Sequence, residues 1–342
     1  MREVSHKVVV LFVLLTLGNM PGNLWGGADD RLVPLRLSHT IAADESRNQA
    51  NPALSRSRFA AGERRQGIKD SSSGPQALPA DANWSDVFRF PGPGFTRPVT
   101  ALAADASGQL YAGGDFFEAG SPRLNGIAKW NGSSWSPLGT GISGAVFTLV
   151  ARPDGALLVG GSFTDAGGVT VNNVALWNGS SWSALATGLN GLVSALAIHP
   201  NGSLFAAGWL WEGEGNRIAR WDGSAWSLLP GAFDGYIMTL GVDSAGNLYA
   251  GGAFSAVDSL TVSGIAKWNG TNWSPVGTGL PGSVRTLAFD PAGSLVAGGD
   301  FFAGGVISLN FVSKWNGTSW TALGDGVPAP VSTLAFDSQG NL

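Results

Sequence analysis

Apolar and polar positions alternate in short runs from residue 99 to the end of the chain, and glycine-containing turns separate the runs. One stretch consists of VFTLVARPDG, ALLVGGSFTDAGG, VTVNNVALWNG and SSWSALATGLNG in succession. Short runs with a period of two that are rich in Val, Phe and Trp favour strands over helices. The turn residues between them predict that consecutive strands are antiparallel and joined as hairpins.

The four-strand unit repeats at a nearly constant period. Its copies begin at Val99, Val146, Val193, Ile237, Val284 and Val331, with spacings of 47, 47, 44, 47 and 47 residues. A unit of this length that consists only of hairpins and repeats in tandem is typical of a propeller blade. We therefore predict an all-β fold, a β-propeller of four-stranded antiparallel blades. The five complete repeats span 99–145, 146–192, 193–236, 237–283 and 284–330, and a partial repeat spans 331–342.

Two patterns recur from unit to unit. A tryptophan pair flanks the last turn, at 130/135, 177/182, 221/226, 268/273 and 315/320. A double glycine ends the second strand, at 113/114, 160/161, 251/252 and 298/299. Because a feature present in every unit normally joins units together, we predict that the tryptophans pack between blades. The glycines would let a neighbouring tryptophan or backbone approach closely.

The segments before the repeats predict export. Residues 1–28 resemble a signal peptide, with a basic start, an apolar run at 8–17 and small residues at Gly26 and Ala28. Residues 29–82 are polar and rich in Arg and Ser, which predicts a disordered linker or propeptide. We expect a secreted, cell-surface or periplasmic protein with no transmembrane segment in the mature chain. The absence of cysteine favours a bacterial source.

The propeller region is predicted to span residues 83–342. The segment NWSDVFRF at 83–90 resembles an outer strand, and the partial repeat at 331–342 stops where other units have their double glycine. We expect the sequence to be a fragment of a longer reading frame, with a ring of about six to eight blades. The alternative is a composite sixth blade built from both ends.

The string GGDFFEAGSPRLNGIAKWNGSSWSPLGTG carries a resemblance to known propellers. Its double glycine followed by spaced aromatic residues resembles the kelch repeat of the galactose-oxidase-like superfamily. The fuller pattern is similar to exported bacterial propeller repeats related to the fungal cortical polarity marker family. The resemblance implies a propeller that serves mostly as an interaction scaffold.

Charge and residue types exclude several functions. From Asp81 onward the chain has 17 acidic and 10 basic side chains, which argues against a nucleic-acid partner. The repeats contain no cysteine and one histidine, His199, at a turn position that holds Asp in four other units. We therefore expect neither a histidine metal site nor a Ser-His-Asp triad there. We expect no enzymatic activity and no cofactor.

The third repeat is the irregular one, and it carries the candidate site. It is three residues shorter, has Ala207-Gly208 in place of the double glycine, and continues as WLWEGEGNRIARW. Trp209, Trp211, Glu212 and Glu214 are the candidate ligand-binding residues. They should share a face with Asp115, Glu118, Asp165, Asp258 and Asp300, whereas His199 should lie on the opposite face. Tryptophans and carboxylates on a rigid rim suit a carbohydrate, a basic peptide or Ca²⁺.

These features predict an exported, non-catalytic scaffold that binds a protein or glycan partner at or outside the cell surface. The alternative is a carbohydrate-active, glycoside-cleaving propeller with acidic residues at its channel mouth, which requires two carboxyl groups at glycosidase separation.

Overall fold

The computed structural model describes residues 95, 97–117, 124–210, 215–301, 303–304, 307–337 and 339–342. Within these ranges every regular element is a β-strand. The predicted signal peptide (1–28), linker (29–82) and closing strand (83–90) lie outside the described residues.

The strands form five successive four-stranded blades. Blade 1 contains β1 (Val99–Ala104), β2 (Leu110–Gly114), β3 (Ile127–Trp130) and β4 (Trp135–Pro137). Blade 2 contains β5 (Ile142–Ala151), β6 (Leu157–Ala166), β7 (Val169–Thr170), β8 (Val174–Trp177) and β9 (Trp182–Ala184). Blade 3 contains β10 (Gly191–Ile198), β11 (Leu204–Leu210), β12 (Gly215–Trp221) and β13 (Trp226–Leu228).

Blade 4 contains β14 (Tyr236–Val242), β15 (Leu248–Ala253), β16 (Ala256–Val257), β17 (Leu260–Thr261), β18 (Ile265–Trp268) and β19 (Trp273–Pro275). Blade 5 contains β20 (Gly282–Phe289), β21 (Leu295–Phe301), β22 (Ala303–Gly304), β23 (Ile307–Ser308), β24 (Val312–Trp315) and β25 (Trp320–Ala322). The short strands β7, β16, β17, β22 and β23 belong to loop hairpins that extend the second-to-third connections of their blades.

Each blade is an antiparallel sheet whose four main strands follow chain order. The predicted all-β propeller of four-stranded blades is therefore confirmed. The first strands of blades 2 to 5 begin before the repeat boundaries, at Ile142, Gly191, Tyr236 and Gly282. They begin early because the incoming chain already pairs with the far end of the second strand, as Ile142 does with Ala166.

The hydrophobic core is divided among the junctions between consecutive blades. The cluster between blades 2 and 3 shows the rule, because Leu158 and Val174 from one blade meet Val193, Leu204 and other side chains from the next. Equivalent clusters fill the other three junctions. A fifth, smaller cluster of Phe116, Leu124 and Ala128 lies on blade 1 itself. Most of the apolar surface is thus buried between neighbouring blades, as expected for a repeat architecture.

The first glycine of each pair marks the closest approach of two blades. A methyl group on Gly160 would lie 2.6 Å from Cγ1 of Val193, which begins the next repeat. Methyl groups on Gly113, Gly251 and Gly298 would likewise lie 2.5–2.7 Å from Cγ1 of the valine that begins the following repeat. The predicted close approach is present, but its partner is this valine and not a tryptophan.

The second glycine accommodates a β-bulge within its own blade. The register of β5 on β6 shifts between Val146 and Thr148, and a methyl group on Gly161 would overlap the carbonyl of Ala145. Every first strand has its bulge at the same repeat position. Blade 3 keeps this second glycine as Gly208 and has Ala207, which is fully buried, at the first position.

The tryptophan pairs join blades, as predicted. The rings of Trp177 and Trp182 pack against each other across their hairpin, tilted by 53° and with centroids 5.2 Å apart. The indole N–H of Trp182 donates to the carbonyl of Leu138 in the preceding blade, at 2.9 Å. The outer-strand tryptophans Trp226, Trp273 and Trp320 donate to the preceding blade in the same way.

The partial repeat at 331–342 packs against blade 5 as a first strand would. The N–H of Val331 donates to the carbonyl of Gly299 at 3.0 Å, and the N–H of Leu334 donates to Oγ1 of Thr286 at 3.1 Å. Asp337 then caps a turn by accepting from the N–H of Gln339 and of Asn341.

We expect Gly160→Ala to destabilise the fold by about 1–3 kcal/mol, because the added methyl overpacks the blade 2–3 junction. Urea unfolding of the full chain checks this, with Asn190→Ala, an exposed loop change, as the control. An unchanged urea midpoint for Gly160→Ala would contradict the junction argument.

We also expect Trp182→Phe to cost about 1–3 kcal/mol more than its pair-mate Trp177→Phe. Both changes shrink a buried ring, but only the first leaves the carbonyl of Leu138 without its indole donor. Comparing the two urea midpoints isolates the hydrogen bond, and equal losses would show that only ring packing matters.

Candidate binding face

The connections of the propeller lie on two opposite faces. The loop face carries the second-to-third-strand loops and the segments that lead to the next blade, at 138–141, 185–190, 229–235, 276–281 and 323–330. The turn face carries the tight first-to-second and third-to-fourth turns. The amide of Asn172 joins the two kinds of loop on the loop face by donating to the carbonyl of Thr187 at 2.6 Å.

The polar residues of the turn face mostly stabilise the turns. Asn178 accepts from the N–H groups of Ser180 and Ser181 in the turn between the tryptophans. His199 lies on this face and joins two blades. Its Nδ1 accepts from the N–H of Asn201, so its Nε2–H donates to the carbonyl of Gly246 in the next blade, at 3.1 Å.

The aspartates of the loop face are also held by the protein. Asp258 accepts from the N–H of Ala232 at 2.8 Å, and Asp165 accepts from the N–H of Gly168 at 3.1 Å. Asp115 pairs with Arg97 at 3.0 Å, and Asp300 lies 3.7 Å from the guanidinium of Arg285. In the described ranges, no three His, Asp or Glu side chains gather so as to hold a metal ion.

Among the described aspartates, every pKa that departs clearly from the usual aspartate value is lowered. Desolvation would raise the pKa of Asp234, but hydrogen bonds from the Ser255 hydroxyl and from the N–H groups of Ser255 and Ala256 outweigh it and lower the pKa. Backbone N–H donors from Ala225 and Ser224 hold the pKa of Asp222 at about 2. The pKa values of Asp105, Asp290 and Asp337 are lowered as well. The lowered pKa values favour the ionised form of these carboxylates.

Exposed apolar groups concentrate on the loop face. Among the described residues, the large apolar side chains that are exposed are Phe117, Trp209, Tyr236, Met238, Val327 and Leu342. The first five lie at loop-face ends of strands or in loop-face connections, whereas Leu342 follows a turn-face turn. Of these six described side chains, five are therefore on one face.

Trp209 is the one predicted site residue that the structure describes. It lies near the end of β11, pairs with Leu192 and Asn216, and is 41% exposed. Trp211, Glu212 and Glu214, like Glu118, fall outside the described residues.

Sequence analysis missed Tyr236 and Met238, two further exposed side chains near the loop-face end of the first strand of blade 4. Met238 occupies the bulge position of its first strand. That position holds Thr100, Phe147, Ser194, Met238 and Arg285 in blades 1 to 5, although the residues around it hardly vary. This variation within an otherwise regular strand was the signal available in the sequence.

Among the residues that the structure describes, no helix has the length and apolar composition that a membrane crossing requires.

Comparisons with known proteins bear on the fold. A family model described as a domain of unknown function (DUF5122), β-propeller, matches residues 152–176, from the first turn of blade 2 into its third main strand. A search of curated proteins finds no match.

Several solved structures are similar over most of the chain. Two are extracellular domains described as belonging to a one-component and a hybrid two-component system of B. thetaiotaomicron. The first has a TM-score of 0.49 and 14% identity, and the match covers 71% of this chain and 31% of that one. The second has a TM-score of 0.48 and 13% identity, covering 73% and 37%. The chain thus spans about a third of these domains.

A third similar structure is virginiamycin B lyase from Staphylococcus aureus. Its TM-score is 0.43 at 14% identity, and the match covers 69% of this chain and 73% of the lyase. Similarities this distant do not indicate what the present chain binds. Its fold is defined by its own strands.

We expect Asp222→Asn to leave stability at pH 7 unchanged and to reduce the loss of stability in acid. The pKa of Asp222, about 2 in the folded chain, lies below its unfolded value. Its contribution is therefore present above that unfolded value, about pH 4, and is lost as pH falls towards 2.

Asparagine serves as the same cap at Asn131, Asn178, Asn269 and Asn316, so the turn should persist. Thermal melts between pH 7 and pH 2 check this, with Asp222→Ala as the variant that loses the cap. If acid lowered the melting temperature of Asp222→Asn as much as that of the parent chain, Asp222 would not be a source of the acid sensitivity, and the argument from its pKa would be contradicted.

Proposed function

We propose that this chain is an exported, non-catalytic β-propeller that binds a partner outside the cell through its loop face. The observation that carries the proposal is that five of the six large apolar side chains exposed among the described residues lie on that face. Clustered apolar groups on a folded surface are typical of interaction sites, because a partner that covers them removes them from water.

The roles of the repeated residues support this proposal. The double glycines, tryptophan pairs and turn caps all make contacts that the blades need in order to pack. What differs between blades on the loop face, such as Trp209 and Met238, is not required by that packing. Surface residues that vary on a regular scaffold are where a repeat protein acquires specificity.

The state of the carboxylates supports binding over glycoside cleavage. A cleaving propeller requires a carboxylic acid with a raised pKa beside a second carboxylate. Asp234 is instead fixed by hydrogen bonds that lower its pKa, and Asp258 caps a backbone N–H. The signal-like segment at 1–28 supports export.

Binding of the full chain to printed peptide and glycan arrays tests the proposal. Trp209→Ala should lose the captured signal, because it removes the largest exposed ring among the described residues of blade 3. Leu342→Ala, an exposed apolar change away from the loop face, is the control and should keep it. Equal capture by parent chain and Trp209→Ala, or retention of the expressed protein in the cytoplasm, would overturn the proposal.

A further inference from the structure

The turns between the third and fourth main strands of the blades share one sequence feature, an asparagine or aspartate followed by glycine. Asparagine precedes the glycine in four blades and aspartate does so in blade 3: Asn131, Asn178, Asp222, Asn269 and Asn316. All five residues are exposed on the turn face, away from the proposed binding surface. Their glycines have φ values of 97–107°, and a methyl group on any of them would meet open space. Water therefore reaches each of these turns.

Each of the four asparagines folds its side chain back over its turn. At Asn178, Oδ1 accepts from the N–H of Ser180 at 3.0 Å and from the N–H of Ser181 at 2.9 Å. The hydroxyl of Ser180 donates to the same oxygen at 3.0 Å. The equivalent pair of N–H groups donates to Oδ1 at 2.8–2.9 Å in the other three turns. Fixed donors thus polarise the side-chain carbonyl at Cγ.

This arrangement favours attack on Cγ by the peptide nitrogen of the following glycine. The hydrogen bond from Ser180 to Asn178 closes a ring of atoms that contains the nitrogen of Gly179, which keeps that nitrogen near Cγ. Glycine has no side chain to hinder the approach. Negative charge develops on Oδ1 during such an attack, and the donors on Oδ1 stabilise that charge as the donors of an oxyanion hole do.

We propose that the four Asn-Gly turns are self-modification sites, at which asparagine is converted to aspartate with water as the co-reactant. In the first step the glycine nitrogen loses its proton to solvent and bonds to Cγ, while the Cγ–Nδ2 bond breaks and Nδ2 leaves as ammonia with a proton from solvent. In the second step water adds to Cγ of the resulting succinimide, the bond from Cγ to the glycine nitrogen breaks, and that nitrogen regains a proton. Each turn consumes one water and releases one ammonia.

The same donors determine which product forms. Water opens the succinimide either at Cγ, which gives aspartate, or at the main-chain carbonyl carbon, which gives isoaspartate and lengthens the main chain. Because the donors polarise the carbonyl at Cγ, the folded turn directs water to that carbon. An isoaspartate would also lengthen a turn whose flanking tryptophans pair directly, as Trp177 and Trp182 do.

Blade 3 shows that the turn accommodates the product. Asp222 occupies the same position, and its Oδ1 accepts from the N–H groups of Ser224 and Ala225 at 2.8 and 2.9 Å. The Ala225 and Ser224 donors hold the pKa of Asp222 at about 2, so its carboxylate is ionised at neutral pH. Each converted turn therefore keeps its cap and gains a negative charge on the turn face.

Peptide mapping by mass spectrometry tests this on the full chain, incubated folded in mildly alkaline heavy-oxygen water. Heavy oxygen enters at the asparagines that convert, and fragmentation of the peptides separates aspartate from isoaspartate. The four turns should convert roughly three- to tenfold faster than Asn201-Gly202, where Oδ1 accepts from one N–H, that of Ser203, among the described residues. They should also give roughly threefold more aspartate than isoaspartate. The same chain unfolded in urea lacks the fixed donors and should give mainly isoaspartate.

A matched variant isolates the donors. Ser180→Ala removes the hydroxyl bond to Asn178 and should slow conversion there by roughly two- to tenfold. Asn131, in the same molecule, is the internal standard and should convert at its usual rate. Asn178→Asp is the product standard and should melt as the parent chain does, because Asp222 makes the same cap. Thermal melts establish that both variants fold.

The outcomes are separate from those of the loop-face proposal, because the turns lie on the other face. Asparagines that remain amides in the folded chain while the unfolded chain converts would overturn the self-modification. An excess of isoaspartate in the folded chain, or an unchanged rate at Asn178 in Ser180→Ala, would overturn the role of the donors.

Discussion

The fold depends on how closely one blade can approach the next. At four junctions a valine at the start of the following repeat packs onto the backbone of the second strand before it, and a methyl group on the glycine there, as on Gly160, would clash with that valine. At the blade 3–4 junction Ala207 and Ile237 take these two positions. The approach brings the apolar faces of neighbouring blades together, and outer-strand indoles such as that of Trp182 add hydrogen bonds between blades. Because most of the apolar core lies at these junctions, the stability of a blade depends on this spacing.

This constraint also bears on the proposed binding face. The repeated residues are occupied by packing, bulge and turn geometry, whereas Trp209 on the loop face has none of those roles. At the blade 3–4 junction the backbone of Phe233 bridges to Asn216, the register partner of Trp209, and so holds the exposed ring on a stiff support. A binding surface gains from such rigidity, since less conformational freedom is lost when a partner binds.

Most of the fold, and part of the candidate site, follow from the sequence. The period near 47 residues and the hairpin turns determine the strand order, and the tryptophan repeats predict the junctions. A close approach was predicted at the first glycine of each pair, with a tryptophan or backbone as its partner, whereas the structure has a valine from the next blade there. The residues around the glycine do not show which side chain of the next blade packs against it. Trp209 was found because it breaks the repeat. Tyr236 and Met238 were missed because their exposure depends on the register between blades, which a single repeat does not encode.

The central claim is that folding and binding use different residues of each blade. A saturation-substitution library of the full chain, sorted in parallel for display level and for capture of the printed peptide or glycan that the arrays identify, tests it most directly. The account predicts that changes at Gly160, Val193 and Trp182 lower display, whereas changes at Trp209 lower capture at normal display. Capture that depends only on display level, with no separate effect of Trp209, would contradict it.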